Sequence, residues 1–510
     1  MVVRLTPSKS MVWELAFPSL VTPSVAVVIP FRRMLFTNAL PLRWLRKEQT
    51  MARYSKKKKA QKAQVQLDSL AVVNPNASGI DIGSREHWVA VPPDRCELPV
   101  RCFSALTPGL HEMADWLIAC GITTVAMEST GVYWVPLYEI LEARGINVQL
   151  VNARHVRNVP GRKSDVLDCQ WLLKLHTFGL LRGSFRPTAQ IAALRAYLRQ
   201  RDSLVDGASE EVQHMHKALT LMNVQLHTVI SDITGDTGMA IIRAIVAGER
   251  DATKLATFRH YTCRANAEAI AASLMGNFQP EHMLALRQAL DLYDSHQRLI
   301  AECDAAAKAV TEELSRHLKD ERPVLEGKAK KRHKRDPAVD YRSPAYLLTG
   351  VDLTAIPGIS AYTAISIIAE IGTDMSKWAT EKAFGSWLRL SPRANITGGR
   401  VIDARRMPGQ SRATELFRTA AVCAGKTATA IGAFYRRTAL RRGTGRAVVA
   451  TAYKLARIVY AMLKSGTAFK ALDASTYDEQ QRQCAIKRLK RTARSLGLQI
   501  LEPTPAAATP

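Results

Sequence analysis

The sequence has little cysteine, and its cysteines are not spaced to hold a metal or a disulfide framework. The eight cysteines include no Cys-x-x-Cys pair, and none lies beside a cluster of histidines. Disulfide-stabilised secreted domains and zinc-bound folds depend on such spacings. Their absence argues against both classes and predicts a protein of the reducing cytoplasm.

Long apolar runs are also scarce. Residues 12–31 form the best candidate for a membrane segment, but they contain Glu14 and three prolines, and two arginines follow. A spanning helix needs about 20 predominantly apolar residues, and proline interrupts it. The stretch also lacks the charged start and small-residue cleavage site of a signal peptide. We therefore expect no membrane segment.

Acidic residues are the third deficit. The chain has 45 Asp and Glu against 71 Lys and Arg, which gives a formal net charge of +26. Basic side chains bind polyanions favourably because they displace counterions from phosphates. The charge therefore predicts a nucleic-acid partner.

Composition and periodicity divide the chain into five segments. Residues 1–76 are predicted to be a disordered extension and basic arm, in which Met51 begins a typical protein start. Residues 77–185 alternate strands and helices in the order β-β-β-α-β-α-β-α, which an RNase H-like domain requires. Residues 186–340 are typical of a long helical arm followed by a basic linker, residues 341–475 of a mostly helical C-terminal domain, and residues 476–510 of a basic tail.

Four acidic residues of the second segment carry the chemistry. Asp81 and Glu128 follow apolar runs that predict buried strands, and Asp165 and Asp168 lie three apart at the start of a helix. Converging carboxylates hold the two cations of a phosphoryl-transfer site, and Mg²⁺ prefers such oxygen ligands. Gly79 and Gly83, on either side of Asp81, are expected to let phosphate approach the backbone. The competing interpretation is structural, because an acidic residue at a helix start also acts as a cap or favours the helix dipole.

The same residues carry a resemblance to a known family. The segments Gly-Ile-Asp at 79–81, Met-Glu-Ser-Thr-Gly-Val-Tyr-Trp at 127–134, Asn-Ala-Arg at 152–154 and Gly-Arg-Lys-Ser-Asp-Val-Leu-Asp at 161–168 resemble the DEDD transposases of bacterial insertion sequences, in the Piv-like group guided by a bridge RNA. The resemblance covers about residues 77–470. It implies a RuvC-like domain whose four acidic residues bind Mg²⁺. It also implies DNA and a structured guide RNA as partners, and a homo-oligomer.

The family also has a C-terminal domain with a serine nucleophile just before glycines. In this chain Thr397 stands before Gly398 and Gly399, where the family has serine. Threonine keeps the hydroxyl, but its methyl group crowds the line of attack. Ser391 is the alternative nucleophile, and a simple turn at Thr-Gly-Gly is the structural alternative.

Basic and glycine residues near this hydroxyl form the predicted nucleic-acid contacts. Arg393, Arg400, Arg405 and Arg406 suit a phosphate cradle, although arginines on a solvated face are common. The Ile-Pro-Gly-Ile segment around Gly358 is typical of a helix-hairpin-helix, whose backbone N–H groups can contact a DNA phosphate. An ordinary turn between helices is the alternative.

These patterns predict a DNA transposase that cuts and rejoins strands with a Mg²⁺-carboxylate site and a C-terminal hydroxyl. Two other functions stay open. The first is a structure-selective nuclease of the Holliday-junction-resolvase type, in which water attacks and Thr397 is idle. The second is an inactive remnant that only binds nucleic acid.

Overall fold

The computed structural model describes residues 70–129, 131–152, 165–318, 336–391, 395–403, 411–471 and 473–498, with the single residues 325 and 409. The chain divides into two compact units, Met1–Ser184 and Phe185–Pro510. The predicted extension lies outside the described residues as far as residue 69.

The first unit is an α/β domain. Its strands and helices, in chain order, are β1 Ala77–Ile82, β2 Glu86–Ala90, β3 Val100–Ser104, α1 Thr107–Ala119, β4 Thr124–Glu128, α2 Trp134–Ala143, β5 Asn147–Val151 and α3 Asp165–Thr177. The predicted order of elements is confirmed. Strand alternation and helical spacing are both strong in this segment, which explains why the order could be predicted.

These strands form one mixed sheet in the order β3-β2-β1-β4-β5. The pairs β1–β2 and β2–β3 are antiparallel, whereas β1–β4 and β4–β5 are parallel. A meander that continues into alternating strands and helices is compatible with the RNase H-like fold, as the sequence predicted.

The two faces of this sheet differ in side-chain size. Ile80 of β1 and Met127 of β4 face α1 and α2, where they join a buried core with Leu110, Met113 and Leu137. Side chains alternate between faces along a strand. The neighbouring residues of β1 and β4 therefore face the other side, on which α3 packs.

The second unit is almost entirely helical. Its elements are α4 Ala189–Leu221, α5 Leu226–Val229, α6 Asp236–Val246, α7 Ala252–Ala256, α8 Ala267–Ser273, α9 Pro280–Ser315, α10 Arg342–Thr349, α11 Ala361–Ile371, α12 Glu381–Trp387, β6 Asn395–Thr397, β7 Arg400–Asp403, α13 Arg412–Gly425, α14 Ala430–Arg442, α15 Thr444–Ser465 and α16 Ala474–Ser495, with short 3₁₀ turns at Arg316–Leu318 and Leu353–Ala355. Serine and threonine cap several of these helices. Ser360, Thr380 and Ser411, for example, accept hydrogen bonds from the backbone N–H three residues later.

The helices α4 and α9 pair to form the predicted arm. They run antiparallel, since Arg201 meets Asp304 while Gly207 meets His296 farther along. The short helices α5–α8 lie between them in sequence and share a separate core with the adjacent ends of α4 and α9. The larger core of the unit contains residues from α4 and α9 and from α10 to α15.

A search of the described helices finds none with the length and apolar character needed to cross a bilayer.

Candidate carboxylate site

Asp81 and Glu128 lie on neighbouring parallel strands. The β1–β4 register pairs Gly79 with Ala126 and Ile80 with Met127. One further step brings Asp81 level with Glu128, and both share the face opposite Ile80 and Met127. Each side chain is half-buried. The sheet therefore places these two predicted residues side by side on the face that α3 covers.

Helix α3 reaches this face because β1 has a glycine there. A Cβ atom on Gly79 would collide with the backbone nitrogen of Leu173 and the carbonyl oxygen of Cys169, both in α3. The helix backbone thus fills the space above Gly79. The prediction that Gly79 gives access to phosphate is wrong, because a helix already occupies that position.

The first turn of α3 brings the remaining two carboxylates. Asp165 and Asp168 are the acidic residues of this turn, and Lys174 and His176 lie in the last turn. This charge distribution also stabilises the helix dipole. The structural interpretation of the acidic pair is therefore compatible with its position, and it does not exclude a role in binding a cation.

Electrostatics couple the four residues. The pKa of Asp81 is raised from 3.8 to about 6, first by burial and then by the negative charges of Asp165, Asp168 and Glu128. Burial, with the charges of Asp81 and Asp168, also raises the pKa of the Cys169 thiol to about 12. Like charges close enough to shift one another's pKa oppose full ionisation. A cation would relieve this repulsion.

The donor set suits a hard divalent cation, because it consists of carboxylates on a half-buried surface. Within the part of the chain that the structure describes, however, no three acidic, histidine or cysteine side chains form a ready metal-binding group. The fold thus brings the carboxylates within electrostatic range of one another without arranging them as a closed ligand set. Their role as Mg²⁺ ligands stays a prediction.

The proposed nucleophile lies in a hairpin of the second unit. Strands β6 and β7 pair antiparallel, with Thr397 opposite Arg400. Gly398 and Gly399 between them have φ values of +56° and +74°. Positive φ at both central residues is the geometry of a two-residue type I′ turn. The turn interpretation therefore describes the backbone correctly, and the Thr397 side chain is exposed beside it.

The other predicted contacts of this region have different placements. Arg400 is exposed on β7, and Ser391 is half-buried. Arg393, Arg405 and Arg406 lie outside the described residues. A phosphate cradle that includes all four arginines is therefore an untested prediction.

Gly358 has an internal role. Its φ is +89°, and a Cβ atom there would overlap the carbonyl oxygen of Ala420 and approach the backbone nitrogen of Ala424 to 2.7 Å. Ile356 and Ile359 on either side are buried. The turn is thus packed against α13, which is sufficient to explain the glycine. Its binding to DNA stays a prediction.

Two further side chains lie next to the carboxylates, and of these Cys169 was not predicted from the sequence. Trp88 is paired directly with Asp81 across the β1–β2 ladder, so the indole shares the carboxylate face. Cys169 lies one position after Asp168 and is fully buried. A signal was available in the small residues Ala77, Gly79 and Ala126, which alternate with large ones and mark the face where a helix approaches closely.

Two segments of the chain match known protein families. Residues 78–224 match a transposase family model for the DEDD, IS110 type. Residues 352–436 match a model described as the transposase IS116/IS110/IS902 family. The first match contains all four predicted carboxylates, and the second contains both predicted nucleophiles. No curated protein matches the chain.

Proposed function

The chain belongs to the IS110 family of DEDD transposases, and we propose that it moves an insertion element with a Mg²⁺-dependent carboxylate site and a threonine nucleophile. Membership of this family makes it a DNA-binding enzyme that cuts and rejoins DNA. The observation that best supports the carboxylate site is the position of Asp81 and Glu128. They lie level on adjacent strands, under the acidic first turn of α3.

The four carboxylates act together in this proposal. Asp81 and Glu128 on the sheet, with Asp165 and Asp168 on α3, would hold the cations. Bound divalent cations would activate the attacking oxygen and neutralise charge on the leaving oxygen. The raised pKa of Asp81 makes its proton a competitor of the cation below about pH 6.

Thr397 is the proposed nucleophile of strand exchange. Its Oγ1 forms a bond to the DNA phosphorus while the bond from phosphorus to the adjacent sugar oxygen breaks. The threonine loses its proton to solvent, and the released sugar oxygen gains one. The phosphodiester energy is conserved in the protein–DNA bond, so a second sugar hydroxyl can reverse the step and rejoin strands. Exposure of Thr397 at a hairpin is compatible with such access.

Three substitutions in a strand-transfer assay test this mechanism. Thr397→Ala should abolish both transfer and the covalent protein–DNA adduct seen on a denaturing gel, whereas Thr397→Ser should retain them. Ser391→Ala is the matched control and should leave both unchanged. If Thr397→Ala transfers strands normally, water or Ser391 attacks instead. DNA cleavage without an adduct in the unsubstituted protein would favour the structure-selective nuclease.

Asp168→Asn tests the carboxylate site independently. It should remove Mg²⁺-dependent cleavage and adduct formation while DNA binding persists. If the unsubstituted protein also binds DNA without cleaving it under all Mg²⁺ conditions, the inactive remnant is the correct alternative.

We further propose that a structured guide RNA and a second copy of the chain take part, as the resemblance to the bridge-RNA-guided group implies. A guide would select the target by base pairing, so the protein would need to recognise backbone and shape rather than bases. Sequencing of RNA that copurifies with the protein should yield one abundant structured species. A random population of cellular RNA would contradict this part of the proposal.

A further inference from the structure

The C-terminal helix α16 lies outside both segments that match a family model, residues 78–224 and 352–436. It is strongly basic. The stretch from residue 480 to 498 contains six lysines and arginines and no aspartate or glutamate. Its side chains are mostly exposed beyond residue 481. The rest of the second unit therefore covers little of this helix.

The beginning of α16 is tied to the second unit. Asp473 caps the helix by accepting a hydrogen bond of 2.7 Å from the Thr476 backbone N–H, and it also pairs with Thr429 in a β-bridge. The Lys454 ammonium of α15 lies 5.4 Å from the centre of the Tyr477 ring. These contacts fix the start of the helix and leave its later turns facing solvent.

Three of the cations on those later turns share one face. At about 100° per residue, Lys487, Arg491 and Arg494 fall within an arc of about 60°. All three side chains are exposed. They span about 10 Å along the helix axis at ~1.5 Å per residue. These three side chains form a straight basic stripe along α16.

A second basic group lies beside the start of α16. Burial raises the pKa of the Tyr477 phenol, and the positive charges of Arg437 and Arg441 on α14 oppose that rise. The guanidinium groups are therefore close to Tyr477. Arg441 is exposed. This second group of cations thus lies beside the start of α16, and Asp478 and Glu479 separate it from the stripe along the helix.

We propose that the exposed stripe of α16 is a docking surface for duplex DNA, binding phosphates without reading sequence. Charge complementarity supports this partner, because a stretch with no acidic residue from 480 to 498 repels other basic surfaces and gains by releasing counterions from DNA. Shape favours DNA over duplex RNA. A helix of about 10–12 Å diameter fits the major groove of B-form DNA, about 12 Å wide, whereas the major groove of A-form RNA is narrow and deep.

The helix also exposes two leucines. Leu489 is 59% exposed and Leu496 is 67% exposed, and both lie away from the basic stripe. A basic helix with an apolar side can also lie on an anionic membrane. Binding to lipid is therefore the main competing outcome, and the test must separate it from DNA binding.

The test uses the full chain with Lys487→Gln, Arg491→Gln and Arg494→Gln combined. Binding to a 30-base-pair DNA of random sequence is measured by fluorescence anisotropy across a range of salt concentrations. Three lost phosphate contacts should reduce the slope of log affinity against log salt by about 2.7, and affinity should fall about a hundredfold at 0.15 M salt. The exchange Lys487→Arg, Arg491→Lys, Arg494→Lys should preserve binding, since phosphate contacts need only charge.

The matched control removes one lysine and two arginines from exposed positions elsewhere in the second unit, namely Lys217→Gln, Arg264→Gln and Arg287→Gln. Its salt slope should change by less than about one. Equal losses in both triple variants would overturn the proposal, because net charge alone would explain them. The proposal would also be overturned if the α16 triple variant lost as much affinity for duplex RNA of the same length as for DNA. It would equally be overturned if the α16 substitutions weakened binding to phosphatidylglycerol vesicles and left DNA affinity unchanged. Circular dichroism of each variant checks that α16 stays helical.

Discussion

Replacing Asp81 with asparagine removes a carboxylate whose ionisation the surrounding fold opposes. The pKa of Asp81 rises from 3.8 to about 6 on folding, which corresponds to about 3 kcal/mol at about 1.36 kcal/mol per unit. Because the side chain is only half-buried, solvent screening reduces the expected effect to about 1–2 kcal/mol. Asparagine has nearly the same shape and cannot ionise. Asp81→Asn should therefore stabilise the metal-free first unit near neutral pH.

The sign of the pH dependence follows from the direction of the shift. A carboxyl group whose folded-state pKa is raised favours folding while protonated, and this contribution is lost as pH rises through the folded pKa. The stabilisation of the first unit by Asp81→Asn should therefore be complete above about pH 6 and should disappear below about pH 4. Added Mg²⁺ should stabilise the unsubstituted protein at pH 7.5 and should have a smaller effect on Asp81→Asn.

Hydrogen–deuterium exchange of peptides from β1 and β4 is the suitable assay. The chain has two compact units, so a single free energy of unfolding is not well defined. Variants are compared at equal pH in the presence of a chelator. Asp94→Asn is the matched control, because the Asp94 side chain is 76% exposed. The reasoning would be refuted if Asp81→Asn were no more protected from exchange than the unsubstituted protein at pH 7.5. It would also be refuted if the gain in protection at pH 4 were as large as the gain at pH 7.5.

Three further predictions concern packing. Gly79→Ala should prevent α3 from closing on the sheet and lower the soluble yield, whereas Gly183→Ala should be tolerated because its Cβ would make only an ordinary contact. Gly358→Ala should lower the melting temperature of the second unit by several degrees, since it combines positive φ with a backbone collision. Arg201→Ala should lower the free energy of opening around the α4–α9 pair by about 3–5 kcal/mol, measured by hydrogen–deuterium exchange of peptides that contain Asp304, because it leaves the buried carboxylate of Asp304 without its 2.7 Å partner. Adding Asp304→Ala should recover part of that loss; an equal or greater loss in the double variant would contradict this explanation.

The sequence was sufficient to predict the sheet of the first unit. Each strand has a clear apolar pattern, and the order of elements restricts the possible topologies. The two long helices of the arm were predictable for the same reason. Three of the four helices between them, α5, α7 and α8, have only four, five and seven residues, and all four depend on a core shared with α4 and α9. Such tertiary stabilisation is difficult to read from one local window.

The candidate site was only partly predictable. The proximity of Asp81 and Glu128 could be predicted, because each lies near the end of a predicted strand and neighbouring parallel strands place equivalent residues side by side. The role of Gly79 was not predictable from its neighbours, since a glycine that admits a helix and one that admits a phosphate have the same local sequence. Thr397 shows the same limit. Thr-Gly-Gly predicts a turn, whereas the nucleophile at Thr397 is implied by the family resemblance, and only chemistry can test that role.

The most direct test of the carboxylate site is a Mn²⁺ titration followed by electron paramagnetic resonance, with Mn²⁺ as the substitute for Mg²⁺. The unsubstituted protein should bind Mn²⁺ at pH 7.5, and Asp81→Asn, Glu128→Gln, Asp165→Asn and Asp168→Asn should each weaken that binding. Asp94→Asn should bind as the unsubstituted protein does. Equal Mn²⁺ binding in all five variants would contradict a shared site.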